Sequence, residues 1–224
     1  MTWLPLIFLL AAGPNPDPST ELSKERAAAL LTPKVAFAAD NVIVGEWKRR
    51  PGQWVALVYQ VSDSNDVDKE VKLDLGIVTK RDDHWSVLAH GRDDGGGIGT
   101  SSYAFDFAPF RINETELAFG LRESTSYSST AHSNEDTQLT LYRRKGNQIV
   151  PILKLPVSAW SLDKEGGDES ASRSVVAVSK HKTNGFFDLV VTTSDTTGAA
   201  KRKKKTVQTY VWSQGAYKKA GAPR

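Results

Sequence analysis

Cysteine is absent from this sequence of 224 residues. Its absence excludes a disulfide framework, a thiolate metal site, a cysteine nucleophile and a lipid-modified cysteine near the N-terminus. A chain of this length can bury roughly two thirds to three quarters of its unfolded surface. It can therefore fold around a hydrophobic core without cross-links, in either a reducing or an oxidising compartment.

Long apolar runs are scarce as well. The uncharged apolar run at residues 3–12 is too short for a membrane-spanning helix, which needs about 20 residues. It fits the hydrophobic region of a signal peptide, which needs about 7–15 residues, and small residues and a Pro-rich stretch follow it. We therefore expect a signal peptide over residues 1–13, no stable membrane span, and a periplasmic or secreted location. A packed apolar strand or helix and a retained membrane anchor are the alternatives for this segment.

Neither sign of charge is in large excess, with 29 Lys and Arg against 26 Asp and Glu. Five of the cations form one run, made of Lys201, Arg202, Lys203, Lys204 and Lys205. The rest of the chain is slightly acidic, so the sequence pI of about 9.0 is a property of this run. We interpret the run as a solvated loop between two strands that could bind an anionic partner. Nucleic acid is not favoured, because no aromatic residue interleaves the run.

Residues 14–40 predict a Pro-rich segment followed by a short helix. The segment at residues 19–31 reads STELSKERAAALL, in which Ser19 can cap the helix and the alanines favour it. Pro33 is expected to end the helix, because proline cannot continue the backbone hydrogen bonding.

One β-rich domain is expected over residues 41–224. Apolar and β-branched runs of about 5–8 residues alternate there with short polar turns, which is typical of antiparallel strands. Six pairs of runs flank turns at residues 51–52, 81–83, 113–114, 145–147, 183–185 and 213–215. The predicted fold class is all-β: an antiparallel hairpin meander forming a sandwich or barrel-like domain, with one short N-terminal helix. An irregular propeller-like arrangement is the alternative.

Three polar stretches, residues 91–102, 124–136 and 161–172, are expected to be long loops, where binding sites often lie on a β scaffold. In the first of them, Asp93 and Asp94 precede three glycines that would let backbone carbonyls turn inward. Solvated turns are the better explanation of these acidic segments. Asp93 and Asp94 remain candidate binding residues, and we predict no metal site.

Motifs for catalysis are missing. Neither G-x-S-x-G nor H-E-x-x-H occurs, and Thr100 stands where a phosphate-binding loop requires lysine. The tryptophans at positions 47, 54, 85, 160 and 212 lie on predicted strands, where core packing explains them, with a carbohydrate-stacking platform as the alternative. We predict no catalytic residue and no cofactor.

Several stretches resemble segments of uncharacterised, exported, β-rich bacterial proteins. These stretches are DFAPFRINETELAFGLRES, LTLYRRKGNQIVPIL, KTNGFFDLV and YVWSQGAYK, and the resemblance covers roughly residues 103–217. It implies export and a β fold, and it supplies no catalytic residues.

These features together predict an exported, non-catalytic binding or accessory protein of the cell envelope. The expected partner is an anionic polysaccharide or another anionic surface, bound by the basic run, or an envelope protein. One alternative is a hydrolase of envelope polymers that uses carboxylates from residues 91–102 and 161–172, because glycosidases need two carboxyl groups about 5–9 Å apart. The other is a purely structural envelope protein, which would lack a concave pocket.

Overall fold

The structure is a computed structural model that describes residues 21–35, 38–61, 68–98, 100–198 and 202–221. The predicted signal peptide, most of the Pro-rich segment and Lys201 lie outside the described residues. The described part of the chain contains one α-helix, α1 (Lys24–Leu31), and a short 3-10 helix at Ala39–Asn41. Neither has the length and apolar composition to cross a membrane.

Twelve strands make up most of the described chain. They are β1 (Val42–Glu46), β2 (Gln53–Val61), β3 (Asp68–Arg81), β4 (His84–Ile98), β5 (Thr100–Asp106), β6 (Phe119–Ser128), β7 (His132–Lys145), β8 (Gln148–Asp163), β9 (Glu169–Thr183), β10 (Phe186–Thr197), β11 (Arg202–Ser213) and β12 (Ala216–Lys219). The all-β fold class with one short helix is confirmed.

All six predicted hairpins are confirmed, because each pair of flanking strands is antiparallel. Five of the six turns contain the left-handed backbone that tight hairpins need, whereas β5 and β6 are joined by the longer segment 107–118. Asn184 and Gly185 have φ angles of 52° and 82°, and Asp82 and Asp83 have φ angles of 46° and 64°. Aspartate and asparagine tolerate this conformation better than other non-glycine residues.

Consecutive strands form three antiparallel groups of four, β1–β4, β5–β8 and β9–β12, which join into one mixed sheet. The far end of β8 pairs with β9 over Ser158 to Leu162. The near end of β8 meets β4 through one parallel bridge, between His90 and Gln148. Among the described strands the sheet ends at β1, β5 and β12 without closing on itself, so the barrel-like alternative does not apply.

Three hydrophobic cores stabilise the packing of these groups of strands. The first lies between the β1–β4 and β5–β8 groups and includes Val55, Leu57, Leu73, Leu75, Phe119, Leu121 and Tyr142. The second lies between the β5–β8 and β9–β12 groups and includes Leu139, Leu141, Leu155, Val157, Leu189, Val191 and Trp212. The third is formed where α1 covers the other face of the β1–β4 group, through Ala27, Ala28, Leu31, Ala56, Val58 and Val78.

The helix begins later than predicted. Its N-cap is Ser23, whose Oγ accepts a hydrogen bond from the Arg26 N–H at 3.2 Å. Ser19 lies outside the described residues, and the described residues before Ser23 are not helical. The predicted end is confirmed, because Thr32 is the C-cap and Pro33 follows it.

The three predicted long loops are mostly strand, and this part of the sequence interpretation was wrong. β4 runs to Ile98, β6 and β7 leave only residues 129–131 between them, and β8 and β9 leave residues 164–168. Cross-strand hydroxyl pairs support these polar strand ends. Examples are Ser124 with Thr137 at 2.9 Å and Ser161 with Ser170 at 2.7 Å.

Candidate functional site: a basic face of the sheet

The basic run lies on a strand and not in a solvated loop, because β11 begins at Arg202. Lys203, Lys204 and Lys205 pair with Thr196, Asp195 and Ser194 of β10. Successive side chains of a strand point to opposite faces, so Lys203 and Lys205 share one face and Lys204 lies on the other. The three described lysines of the predicted group are therefore divided between two faces.

Regular pairing of β8, β9, β10 and β11 defines the face that carries Lys203 and Lys205, because residues opposite each other share a face. One row contains Trp160, Ala171, Thr196 and Lys203. The next contains Ser158, Arg173, Ser194 and Lys205, and the third contains Val175, Thr192 and Val207. We call these eleven residues the outer face. On β10 the second core takes Leu189 and Val191, which point the other way.

Three cations stand on the outer face, Arg173, Lys203 and Lys205, and all three side chains are exposed. None is within 4.0 Å of a carboxylate in the described part of the chain. Neighbouring strands are about 4.8 Å apart, so Arg173 and Lys205 are separated by about 10 Å across the sheet. Their positive charge is therefore available to an anionic ligand.

Apolar groups lie beside these cations. Val175 and Val207 are 61% and 63% exposed, and Thr192 lies between them in the same row. Trp160 is partly exposed, and its Nε1–H donates a hydrogen bond to Glu169 Oε1 at 3.0 Å. The outer face thus combines an indole, two exposed valines and three cations. The core-packing interpretation fails for Trp160, although Trp47 and Trp212 are buried as predicted.

Asp93 and Asp94 have different hydrogen-bond partners, because they point to opposite faces of β4. Asp93 Oδ2 accepts a hydrogen bond from the Tyr142 hydroxyl at 2.6 Å. Burial raises the pKa of Tyr142, and the hydrogen bond to Asp93 raises it further. Asp94 is exposed and accepts a hydrogen bond from Lys72 Nζ at 2.9 Å.

The glycines after Asp94 allow Tyr103 and Glu123 to lie close to the backbone of β4. Glu123 Oε1 accepts hydrogen bonds from the Gly96 N–H at 2.6 Å and from the Tyr103 hydroxyl at 2.8 Å. A Cβ atom on Gly95 would lie 2.8 Å from the Tyr103 hydroxyl and 3.0 Å from Glu123 Oε1. Burial raises the pKa of Tyr103, with Glu123 as the second cause. The glycines therefore admit a hydrogen-bonded pair of the buried Tyr103 and the half-buried Glu123, and sequence reasoning missed Glu123.

The alternative of a hydrolase relied on acidic residues from two segments, 91–102 and 161–172. These two sets of acidic residues line different cavities. Asp93 and Asp94 line a cavity of about 470 Å³ together with the buried Asp74, which accepts a hydrogen bond from Arg92 Nε at 2.9 Å. Asp163, Asp168 and Glu169 line another cavity, of about 790 Å³. In the described residues, no group of three or more His, Asp or Glu side chains is placed to hold a metal ion.

A histidine–aspartate pair lies beyond the valines, in an open cavity of about 940 Å³. His181 Nδ1 is 2.5 Å from Asp188 Oδ2, and the Ser179 Oγ accepts a hydrogen bond from the His181 N–H at 3.0 Å. Asp188 is 3% exposed. Neither Ser179 nor His181 was singled out as a site from the sequence, because their relation to Asp188 depends on the β9–β10 pairing.

Comparison with known proteins finds no family model, no curated protein and no solved structure that matches the chain. A functional assignment must therefore come from the geometry of the outer face and the cavities.

Proposed function

We propose that the protein is an exported, non-catalytic binding protein whose outer face binds an acidic polysaccharide of the cell envelope. The observation that carries the proposal is the alignment of Arg173, Lys203 and Lys205 with Trp160 on one open face of the sheet. Unpaired cations attract a polyanion, and a partly exposed indole offers an apolar surface to a sugar ring.

The dimensions of the face suit an extended chain. The row from Trp160 to Lys203 crosses four strands and is therefore about 14 Å long. Lys203 and Lys205 are separated by about 6.6 Å along β11, as are Ala171 and Arg173 along β9. A polymer with a carboxylate on successive sugars can contact more than one cation at this spacing, whereas a small anion could contact only one.

Two glutamates, Glu169 and Glu135, flank Trp160 on the neighbouring strands β9 and β7. Glu169 lies at the border of the outer face, and its carboxylate accepts the hydrogen bond from Trp160 Nε1. Glu135 lies opposite Trp160 across the β7–β8 pairing and is exposed. The acids of the two segments proposed for hydrolysis line different cavities, so the geometry favours binding over catalysis.

Isothermal titration calorimetry with polygalacturonate oligomers tests the proposal. The triple variant Arg173→Gln, Lys203→Gln, Lys205→Gln should lose most of the affinity, and the affinity of the wild type should fall as salt screens the charges. The matched control replaces three exposed lysines away from the face, Lys34, Lys48 and Lys145, with glutamine and removes the same charge. Equal loss in both variants would show that net charge, and not the outer face, governs binding.

The contribution of the indole is tested separately. Trp160→Ala should weaken binding of the acidic oligomer without changing the salt dependence, because it removes a stacking surface and no charge. Unchanged affinity would show that the indole does not contribute and that only the cations bind the oligomer.

Export is tested by the mass of the protein recovered from the envelope and extracellular fractions of its host. A mass that lacks about the first 13 residues is expected if the signal peptide is cleaved. A full-length protein found only in the cytosol would contradict the envelope part of the proposal and leave the binding experiment unaffected.

A further inference from the structure

The edge of β11 is open over most of its length. β12 pairs with β11 only from Tyr210 to Ser213, and the Ala220 N–H extends this contact to the Thr209 carbonyl. No described strand pairs with Arg202 to Gln208 on that side. An open strand edge carries unused donors and acceptors, and these can accept another strand.

The hydrogen bond of Thr209 shows which backbone N–H and C=O groups of β11 point to the open edge. Its carbonyl faces β12, and in a strand the N–H and C=O of one residue point to the same side, alternating along the chain. The N–H and C=O groups of Lys203, Lys205 and Val207 therefore point to the open edge. Those of Lys204 and Thr206 point toward β10, so three alternate residues offer a complete set of ladder hydrogen bonds.

The side chains of the same three residues lie on the outer face. A strand added to the edge would place its own side chains about 4.5–5.5 Å from those of Lys203, Lys205 and Val207. Acidic residues are favoured opposite the two lysines, and an apolar residue is favoured opposite Val207, which is 63% exposed. A second copy of this chain would bring lysine against lysine, which disfavours self-pairing.

We propose that the β11 edge accepts an acidic, extended segment of another protein as an additional antiparallel strand. Read from its N-terminus, that segment has the pattern apolar–x–acidic–x–acidic, because an antiparallel strand meets Val207 first and Lys203 last. The backbone supplies the affinity in this mode of recognition, and alternate side chains supply the selectivity. The site shares Lys203, Lys205 and Val207 with the outer face and differs in also using the backbone groups of the β11 edge.

A labelled peptide of sequence TVTETET is the probe, and fluorescence anisotropy measures its binding to the full-length protein. The same peptide with N-methyl groups on the residues that face β11 keeps its charge and loses its ladder donors. It should bind about tenfold more weakly or worse, because each backbone hydrogen bond contributes about 0.5–1.5 kcal/mol. Equal binding of both peptides would overturn strand addition and leave only charge attraction.

Two variants at one position test the same point on the protein. Val207→Pro removes the N–H that faces the edge and leaves the hydrogen bonds to β10 intact, as proline permits at an edge strand. Val207→Ala keeps that N–H and is the matched control. Peptide binding should be lost in the proline variant and kept in the alanine variant, and equal binding would overturn the proposal.

The outcomes separate this proposal from the one for the outer face. Polygalacturonate binding should be equal in Val207→Pro and Val207→Ala, because both variants lack the valine side chain and keep Arg173, Lys203 and Lys205. Failure of polygalacturonate to bind the wild type would contradict the first proposal alone, and failure of the TVTETET peptide to bind would contradict the second alone. If the proline variant does not fold, as judged by circular dichroism, the N-methylated peptide decides the question.

Discussion

His181 Nδ1 contacts Asp188 Oδ2 at 2.5 Å, so a side chain that is 77% exposed is held by a carboxyl group that is almost completely buried. The other oxygen of Asp188 is buried and has no hydrogen-bond partner in the described part of the chain. A buried carboxyl group with one partner depends strongly on that partner. Among the described residues the imidazole therefore supplies the hydrogen bond of the buried Asp188 carboxyl group while its ring lines the cavity.

His181→Ala should destabilise the protein by about 1–3 kcal/mol, because Asp188 would lose its hydrogen-bond partner while remaining buried. Urea unfolding monitored by tryptophan fluorescence measures this free energy. The double variant with Asp188→Asn should recover part of the loss, since an amide is cheaper to bury than an unpaired carboxylate. Additive effects of the two substitutions would contradict the coupling.

Gly91→Ala should disturb the contact between β4 and β8. A Cβ atom at this position would lie 2.5 Å from the Ile149 carbonyl oxygen, and the backbone would have to shift next to the His90–Gln148 bridge. The expected cost is about 1–3 kcal/mol in the free energy of unfolding. Gly221→Ala is the control, because nothing lies within 4 Å of the added Cβ atom.

Tyr142→Phe should change how stability depends on alkaline pH. The folded state holds the pKa of Tyr142 above its ordinary value of 10.0, so the neutral phenol is favoured in the fold. This stabilisation is complete below pH 10 and is lost as the pH rises further, because only the unfolded chain then releases the proton. The wild type should lose up to about 1.4 kcal/mol per pH unit from this one group, a slope that the variant should lack.

The same variant should be less stable than the wild type at neutral pH, by about 1–3 kcal/mol, because Asp93 loses its donor. Urea unfolding at pH 7 and at several values above pH 10 measures both effects. Tyr127→Phe, at an exposed tyrosine, is the control. Burial also raises the pKa of Tyr103 and Tyr217, so parallel pH slopes for Tyr142→Phe and the wild type would assign the alkaline loss to those residues.

Ser23→Ala should loosen α1, because the Arg26 N–H loses its side-chain acceptor. N-cap replacements of this kind cost about 0.5–2 kcal/mol. Hydrogen exchange of the α1 amides is the direct measurement, and it should accelerate while exchange in the second core stays unchanged. Unaltered protection in α1 would show that packing on Ala56 and Val58, and not the cap, holds the helix.

Turn chemistry explains why the hairpins could be predicted from the sequence. Asn184-Gly185 and Pro51-Gly52 interrupt β-branched runs, and local signals of this kind set which strands pair. The bridge between His90 and Gln148 has no such signal, because it joins strands that are not consecutive in the chain. The order of the groups and the position of the cores were therefore accessible only from the structure.

The polar ends of the strands were predicted to be loops for a related reason. Serine-rich and glycine-rich sequence normally indicates a loop, and nothing local shows that Ser124 will meet Thr137 or that Gly95 will meet Tyr103. The candidate site was only partly predicted. Lys203 and Lys205 were identified from composition, whereas Arg173 and Trp160 join them through register, which a single sequence does not reveal.

The grouping of the strands has a consequence for the order in which the protein can form. Among the described strands, every pairing except the one between β4 and β8 joins neighbours in the sequence. A chain that emerges with its N-terminus first, from a ribosome or through a narrow passage, can complete the pairing within each group before the next group arrives. One edge of β11 is then unpaired until the short β12 covers part of it. The last strand to form therefore lies beside the edge that we propose accepts a strand of another protein.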